Sequence, residues 1–253
     1  NPLELYENPL EFEDVEVDFI LEPEPFNLEV QQLSVKDPSR DLVIVATGQI
    51  VSGKSGWEVS SQLESAKAEN DDIIAYWPPD FKKNGRLWLE KNVLDANLKD
   101  LYASVTFGSN ARPKVVMGYS FSNATINLLD GFSPLEEASG SYLFYDKMFA
   151  VTLSNGYVGD QDNRLDLSGS NLVVNNTDIK PYPGKINLYS AGSLSALISL
   201  SDFEKNYGFE KPKNLQGSAS LQGILELPLK MKIEPQEIKY KVSGIIEDLI
   251  ISR

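Results

Sequence analysis

The chain contains neither cysteine nor histidine. Without a thiol there is no disulfide, no cysteine nucleophile and no zinc–thiolate site. Without an imidazole the commonest general base and metal ligand is missing, and a Ser-His-Asp triad cannot be assembled within the chain. Carboxylate-only and Ser-Lys chemistry survive these absences. Cations are scarce too: 23 Lys and Arg against 37 Asp and Glu leave a net charge of −14. Residues 1–30 hold ten acids and no Lys or Arg. A phosphate backbone calls for a basic stripe, and none is present, so nucleic acid is not an expected partner. The acidic run also disfavours docking on an anionic membrane surface. No apolar run approaches the roughly 20 residues of a membrane helix. No signal-peptide pattern is present, and the chain enters a β pattern soon after Asn1, so a processed or excised piece of a longer protein is expected.

What is present is period-2 alternation, the mark of strands with one dry face. Val15, Val17 and Phe19 alternate with Glu16 and Asp18, and Phe26, Leu28 and Val30 follow the Pro23/Pro25 break. Trp57, Val59 and Leu63 share a parity, as do Leu101, Ala103, Val105 and Phe107, and again Val115, Met117, Tyr119 and Phe121. Further candidates include Phe149/Val151/Leu153, Leu165/Leu167, Ile186/Leu188, Leu221/Leu225/Leu227 and Ile238/Tyr240/Val242, separated by Gly, Asn, Asp and Pro turn signals. One block breaks the pattern. Pro78-Pro79 suits a helix entry, and Phe81, Trp88 and Leu89 at i, i+7 and i+8 form one helical stripe. Ser193–Asp202 reads equally as strand or as a second short helix.

Three local motifs invite chemistry. Gly48–Ser55 (GQIVSGKS) fits the phosphate-loop pattern, but Gly56 and a strand-like Trp57–Leu63 follow where a helix is required, so a hairpin turn is the better reading. Gly159–Asn163 resembles a calcium loop but lacks the glycine and distal glutamate of one. Glu136 and Glu137 are adjacent on a strand and point to opposite faces, so they do not form a carboxylate pair.

The residues Trp77-Pro78, Asn84, Arg86, Trp88 and Asn92 resemble the helix of the AsmA-like, YhdP-like proteins of Gram-negative bacteria. Gly118–Ala124, Glu137–Leu143, Phe149–Val158, Leu165–Ser170, Asp178–Pro181, Leu225–Lys230 and Val242–Asp248 follow in an order similar to the strands of that family, over roughly residues 71–250. The family's second turn glycine is represented here by Ser139-Gly140-Ser141, and residues 1–70 match only as generic strands. The resemblance implies a bridge-type lipid carrier: repeated β-groove units, anchored in the inner membrane, crossing the periplasm toward the outer membrane and moving glycerophospholipids.

The expected fold is therefore mainly β, an elongated, twisted antiparallel sheet curled into an open apolar groove, with one or two short helices. Residues 1–70 are expected to form an N-terminal β segment, 71–97 a helical insert, and 98–253 an antiparallel β-groove unit. Some ten strands at about 4.8 Å spacing span roughly 50 Å, too short to bridge two membranes alone. Candidate lining residues are Val115, Met117, Tyr119, Phe121, Phe149, Val151, Leu153, Leu165, Leu167, Ile238, Tyr240 and Val242. Trp77, Phe81 and Trp88 either plug the groove or anchor the helix to the sheet. The expected partners are glycerophospholipid acyl chains, with no cofactor, metal or catalytic residue. A closed β-sandwich interaction module is the alternative, and a nucleotide-binding protein a remote one.

Overall fold

The computed structural model describes residues 10–54, 56–79, 83–109, 112–128, 133–160, 163–199, 214–230 and 233–252. Thirteen strands form one antiparallel meander sheet. In chain order they are β1 (Glu13–Pro23), β2 (Phe26–Asp37), β3 (Leu42–Gly53), β4 (Gly56–Glu69), β5 (Val93–Gly108), β6 (Lys114–Ile126), β7 (Leu135–Tyr145), β8 (Met148–Asp160), β9 (Asn163–Asp166), β10 (Asn171–Val174), β11 (Tyr182–Ser193), β12 (Asn214–Leu229) and β13 (Lys239–Ser252). β9 and β10 both lie between β8 and β11, separated by residues 167–170. The helices are α1 (Asn70–Tyr76), α2 (Lys83–Asn92) and α3 (Leu194–Ser199). The mainly β expectation holds, and the described residues carry three short helices rather than one or two.

The helical insert differs from the expected single helix entered at Pro78. A helix already starts at Asn70, where the Glu69 N–H donates to the Asp72 carboxylate at 2.7 Å and satisfies one orphan donor of the first turn. It stops at Trp77 because a residue before proline is pushed out of the α region; Trp77 has φ −85° and ψ 112°. Arg86 of α2 then reaches back to the end of α1, its guanidinium donating to the Trp77 carbonyl at 3.3 Å and the Ile74 carbonyl at 3.5 Å.

Two compact units divide the chain. The first comprises Asn1–Glu90, Asn97–Ser120 and Tyr142–Asp146. Its polar anchor is Asp37 at the end of β2. The carboxylate accepts the Ser39 N–H at 2.8 Å, the Ser39 hydroxyl at 2.6 Å and the Tyr76 hydroxyl at 2.7 Å, tying the β2–β3 turn to α1. Arg40 lies 3.7 Å from Asp37 and 3.4 Å from Asp72. The Ser39 hydroxyl bond, with the Tyr76 bond and the Arg40 charge, holds the Asp37 carboxyl below its ordinary range against the opposing effect of burial. Desolvation and the same bond push the Tyr76 phenol well above its ordinary range.

The second unit comprises Lys91–Ala96, Phe121–Ser141 and Lys147–Arg253. Its small core gathers Leu135, Ala138, Val158, Leu165, Leu194 and Ala196, all buried. The helix α3 closes it, packing on β9, β11 and β12, and its first turn is capped by Ser193, whose hydroxyl accepts the Ala196 N–H at 3.0 Å. Close approach is made possible by missing side chains. A Cβ on Gly192 would sit 2.7 Å from Leu165, and one on Gly140 would strike the Thr152 carbonyl and come 2.9 Å from the Phe121 ring.

Several strands carry a non-glycine residue in the left-handed region: Asp14, Asp100, Asn123, Glu137 and Asp248, with φ between 50° and 53°. Asp and Asn tolerate this conformation best. At Asp14 and Asp248 the cross-strand register shifts by one residue, which marks bulges.

The Asp37 cluster fixes a sign for pH dependence. A depressed carboxyl contributes stability that is fully present above its unfolded pKa, near 4, and is lost as pH falls through the folded value. We expect Tyr76→Phe to destabilise the first unit by about 1–2 kcal/mol at neutral pH. The deficit relative to the parent should shrink as pH is lowered below about 4. Urea denaturation at pH 7 and pH 3 measures both.

Candidate functional site

Cross-strand register sorts the alternating side chains into rows. In the first unit, Leu21, Leu28, Ile50, Val59 and Phe107 stand opposite one another from β1 to β5. Two more rows run on the same face: Val17, Leu33, Ala46, Leu63 and Ala103, and Phe19, Val30, Gly48, Ser61 and Val105. The opposite face carries Glu22, Asn27, Val51 and Glu58 in one row and Ile20, Glu29, Gln49, Ser60 and Thr106 in another. One face is therefore almost wholly apolar and the other mixed and largely polar.

The second unit repeats the arrangement. Val151, Leu172, Ile186, Leu225 and Tyr240 form one row across β8, β10, β11, β12 and β13. Phe149, Val174, Gly184 and Leu227 form the next, and Leu188, Gly223 and Val242 a third. Behind them stand Thr152, Asn171, Asn187, Ile224 and Lys241, and Ala150, Val173, Lys185, Glu226 and Lys239.

Among the described residues no second sheet covers the apolar faces. A second sheet packed on them would bury their side chains fully. In the three rows of the first unit every apolar side chain is half-buried or exposed. In the second unit Val174 and Leu227 are buried, while Phe149, Val151, Leu172, Ile186, Leu188 and Leu225 are half-buried and Tyr240 and Val242 exposed. The Trp57 ring meets Phe26 edge-on at 5.3 Å and is itself half exposed. Tyr119 and Tyr142 stack with ring centroids 4.9 Å apart. Desolvation raises both phenols, that of Tyr142 to about 12, although both rings remain partly accessible. These stacked rings add to the apolar surface, with their hydroxyls largely withdrawn from water.

The expected lining residues fall into distinct places. Phe149, Val151, Tyr240 and Val242 share the apolar face of the second unit by register, and Leu153 follows them on the parity of β8. Ile238 immediately precedes β13 and is half-buried. Val115, Met117 and Tyr119 lie on one parity of β6 in the first unit and are half-buried. Phe121 is buried against Gly140, and Leu165, only 1% exposed, packs over Gly192, so both serve the core. Leu167 lies in the segment between β9 and β10, its N–H donating to the Gly156 carbonyl at 2.8 Å. Trp77 rests against Gly85, which joins α1 to α2, while Trp88 stays partly exposed on α2; Phe81 lies outside the described residues. Leu28, Ile50, Leu172, Ile186 and Leu225 belong to the apolar rows but were not among the expected lining residues. Their alternation is plain in the sequence, and only the register says which strands share a face.

The other motifs resolve into structure. Gly53 pairs with Gly56 across a tight turn and β4 follows at once, so the phosphate-loop pattern is a hairpin without its helix; Ser55 lies outside the described residues. Gly159–Asn163 is the β8–β9 hairpin, with Gln161 and Asp162 outside the described residues. Glu137 binds Arg164 at 2.9 Å, and Arg164 also lies over the Tyr157 ring at 3.8 Å. No group of acidic side chains with metal-binding geometry occurs among the described residues.

No family model, curated protein or solved structure matches this chain.

One polar atom interrupts the apolar face of β11. Ser190 is buried with no hydrogen-bond partner for its hydroxyl among the described residues. A buried unsatisfied hydroxyl costs about 1–3 kcal/mol. Ser190→Ala should therefore leave stability unchanged or raise it by about 1 kcal/mol, unlike most buried substitutions, and chemical denaturation checks this.

Proposed function

We propose that the apolar rows shield lipid acyl chains, and that this chain is a non-enzymatic part of a periplasm-spanning protein, anchored in the inner membrane, that carries glycerophospholipids between inner and outer membranes. The observation that carries this reading is the set of apolar cross-strand rows, half-buried or exposed throughout in the first unit and over most of their length in the second, backed by a largely polar face. The ordered resemblance of Trp77–Asn92 and the later strands to the AsmA-like proteins points the same way.

The physical argument needs no chemistry. Each acyl CH₂ exposed to water costs about 0.8 kcal/mol, so a 16-carbon chain costs on the order of 12 kcal/mol. An apolar surface beside the chain removes much of that barrier, while charged headgroups stay in water. Rows of Leu, Ile, Val and Phe offer contact without directional bonds, which suits a mobile cargo.

Purification without detergent, followed by native mass spectrometry and lipid extraction, tests the reading. Glycerophospholipid should accompany the parent chain. Leu28→Glu and Leu225→Glu, each in the middle of an apolar row, should deplete it several-fold, whereas Gln222→Glu on the polar face should not. A folded, lipid-free parent chain that also fails to take up added phospholipid would overturn the proposal in favour of a protein-interaction module.

A further inference from the structure

The two edge strands of the sheet are chemically unlike. Among the described residues β1 pairs only with β2, and β13 only with β12. An uncovered edge presents free backbone donors and acceptors, and proteins guard such edges with charge and bulges. The outer strand β1 is guarded: Glu13, Asp14, Glu16, Asp18 and Glu22 give it one sign of charge and no cation. The strand β13 carries both signs of charge instead. It holds Lys239 and Lys241 near its start and Glu247 and Asp248 further on, with apolar side chains on both faces between them. Val242 is 42% exposed and Ile246 52% on the apolar face, and Ile245 64% on the other.

That pattern is self-complementary. We infer that β13 pairs antiparallel with β13 of a second copy, about a two-fold axis at Gly244. In this register Val242 faces the second copy's Ile246 and Ser243 faces its Ile245. Lys241 faces its Glu247, and symmetry makes each of these pairs twice. Apolar meets apolar on one face, and opposite charges meet on the other. The regular stretch from Lys239 to Glu247 ends at the Asp248 bulge, which limits the ladder to this self-matching segment. The space over Gly244 is filled by Leu221 of the neighbouring strand, so the axis is not hollow. Such an isologous contact closes at a dimer. It joins the two apolar faces edge to edge, and it does not rest on the lipid reading. Pairing of β13 with β1 of another copy is the competing arrangement, since Lys239 and Lys241 can face Asp18 and Glu16, but it leaves Glu247 without a cation and builds an open chain of copies rather than a closed dimer.

Sedimentation velocity on the full chain across a concentration series tests the inference. The parent should pass from monomer to dimer, with no larger species required. Lys241→Glu and Glu247→Lys should each weaken association about tenfold, because each converts two opposite-charge pairs into like-charge pairs. The combined Lys241→Glu, Glu247→Lys chain should recover it. Both changes are at exposed strand positions, and circular dichroism verifies the fold of all three variant chains. Since the chain has no cysteine, mixing Ser243→Cys and Ile245→Cys chains under mild oxidation should give a mixed disulfide dimer visible by mass spectrometry. A parent that stays monomeric at all concentrations overturns the inference. So does stronger association of Glu247→Lys, which would place β1 opposite β13 instead.

Discussion

Cross-strand register is the constraint on which the rest of this structure depends. Side chains alternate with a period of two, so a slip of one residue would carry an entire row to the wrong face. In a closed sandwich a dry core corrects such slips, because the penalty for a misplaced polar group is high. Here the faces are only half-buried, and the correction comes from the pairing itself. The β2–β3, β3–β4 and β4–β5 pairings keep Leu28, Ile50, Val59 and Phe107 in one line. Bulges set by Asp14 and Asp248 absorb local mismatches without disturbing the rows beyond them.

Much of this was legible in the sequence. The parity groups Trp57/Val59/Leu63 and Leu101/Ala103/Val105/Phe107 fall on the strands and face that their alternation implied. So does the hairpin reading of Gly53–Gly56, because a phosphate loop without a following helix has no place to hold a phosphate. What escaped was whatever depends on a partner strand. Leu165 and Phe121 alternate like their neighbours, yet each meets a bare glycine across the sheet and is drawn into the core. Alternation reports which side a residue faces along its own strand. It does not report how near the next strand comes.

The helices show a second limit. The aromatic block suggested one helix beginning at its prolines, whereas the prolines separate two. The start of α1 rests on a bond between the Glu69 backbone and Asp72, and its end on the conformation that Pro78 forces on Trp77. Asp37 and Tyr76, 39 residues apart in sequence, then meet at 2.7 Å and dock the helix on a strand turn. No local pattern announces such a pair, since each residue alone is an ordinary exposed type.

The leucines that lie over glycines have a consequence for how this chain can change with time. Leu165 over Gly192, and Leu221 over Gly244, act as knob and slot on adjacent strands. Enlarging the slot residue alone creates a clash, and shrinking the knob alone leaves a void. A simultaneous exchange of large for small does not relieve the clash, because a Cβ on Gly192 would also meet the Arg164 carbonyl at 2.6 Å and one on Gly244 the Ser220 carbonyl, and a backbone oxygen cannot be trimmed. The glycine is therefore the fixed member of each pair. Change at such positions is confined to the knob, where a smaller residue leaves a void but strikes nothing.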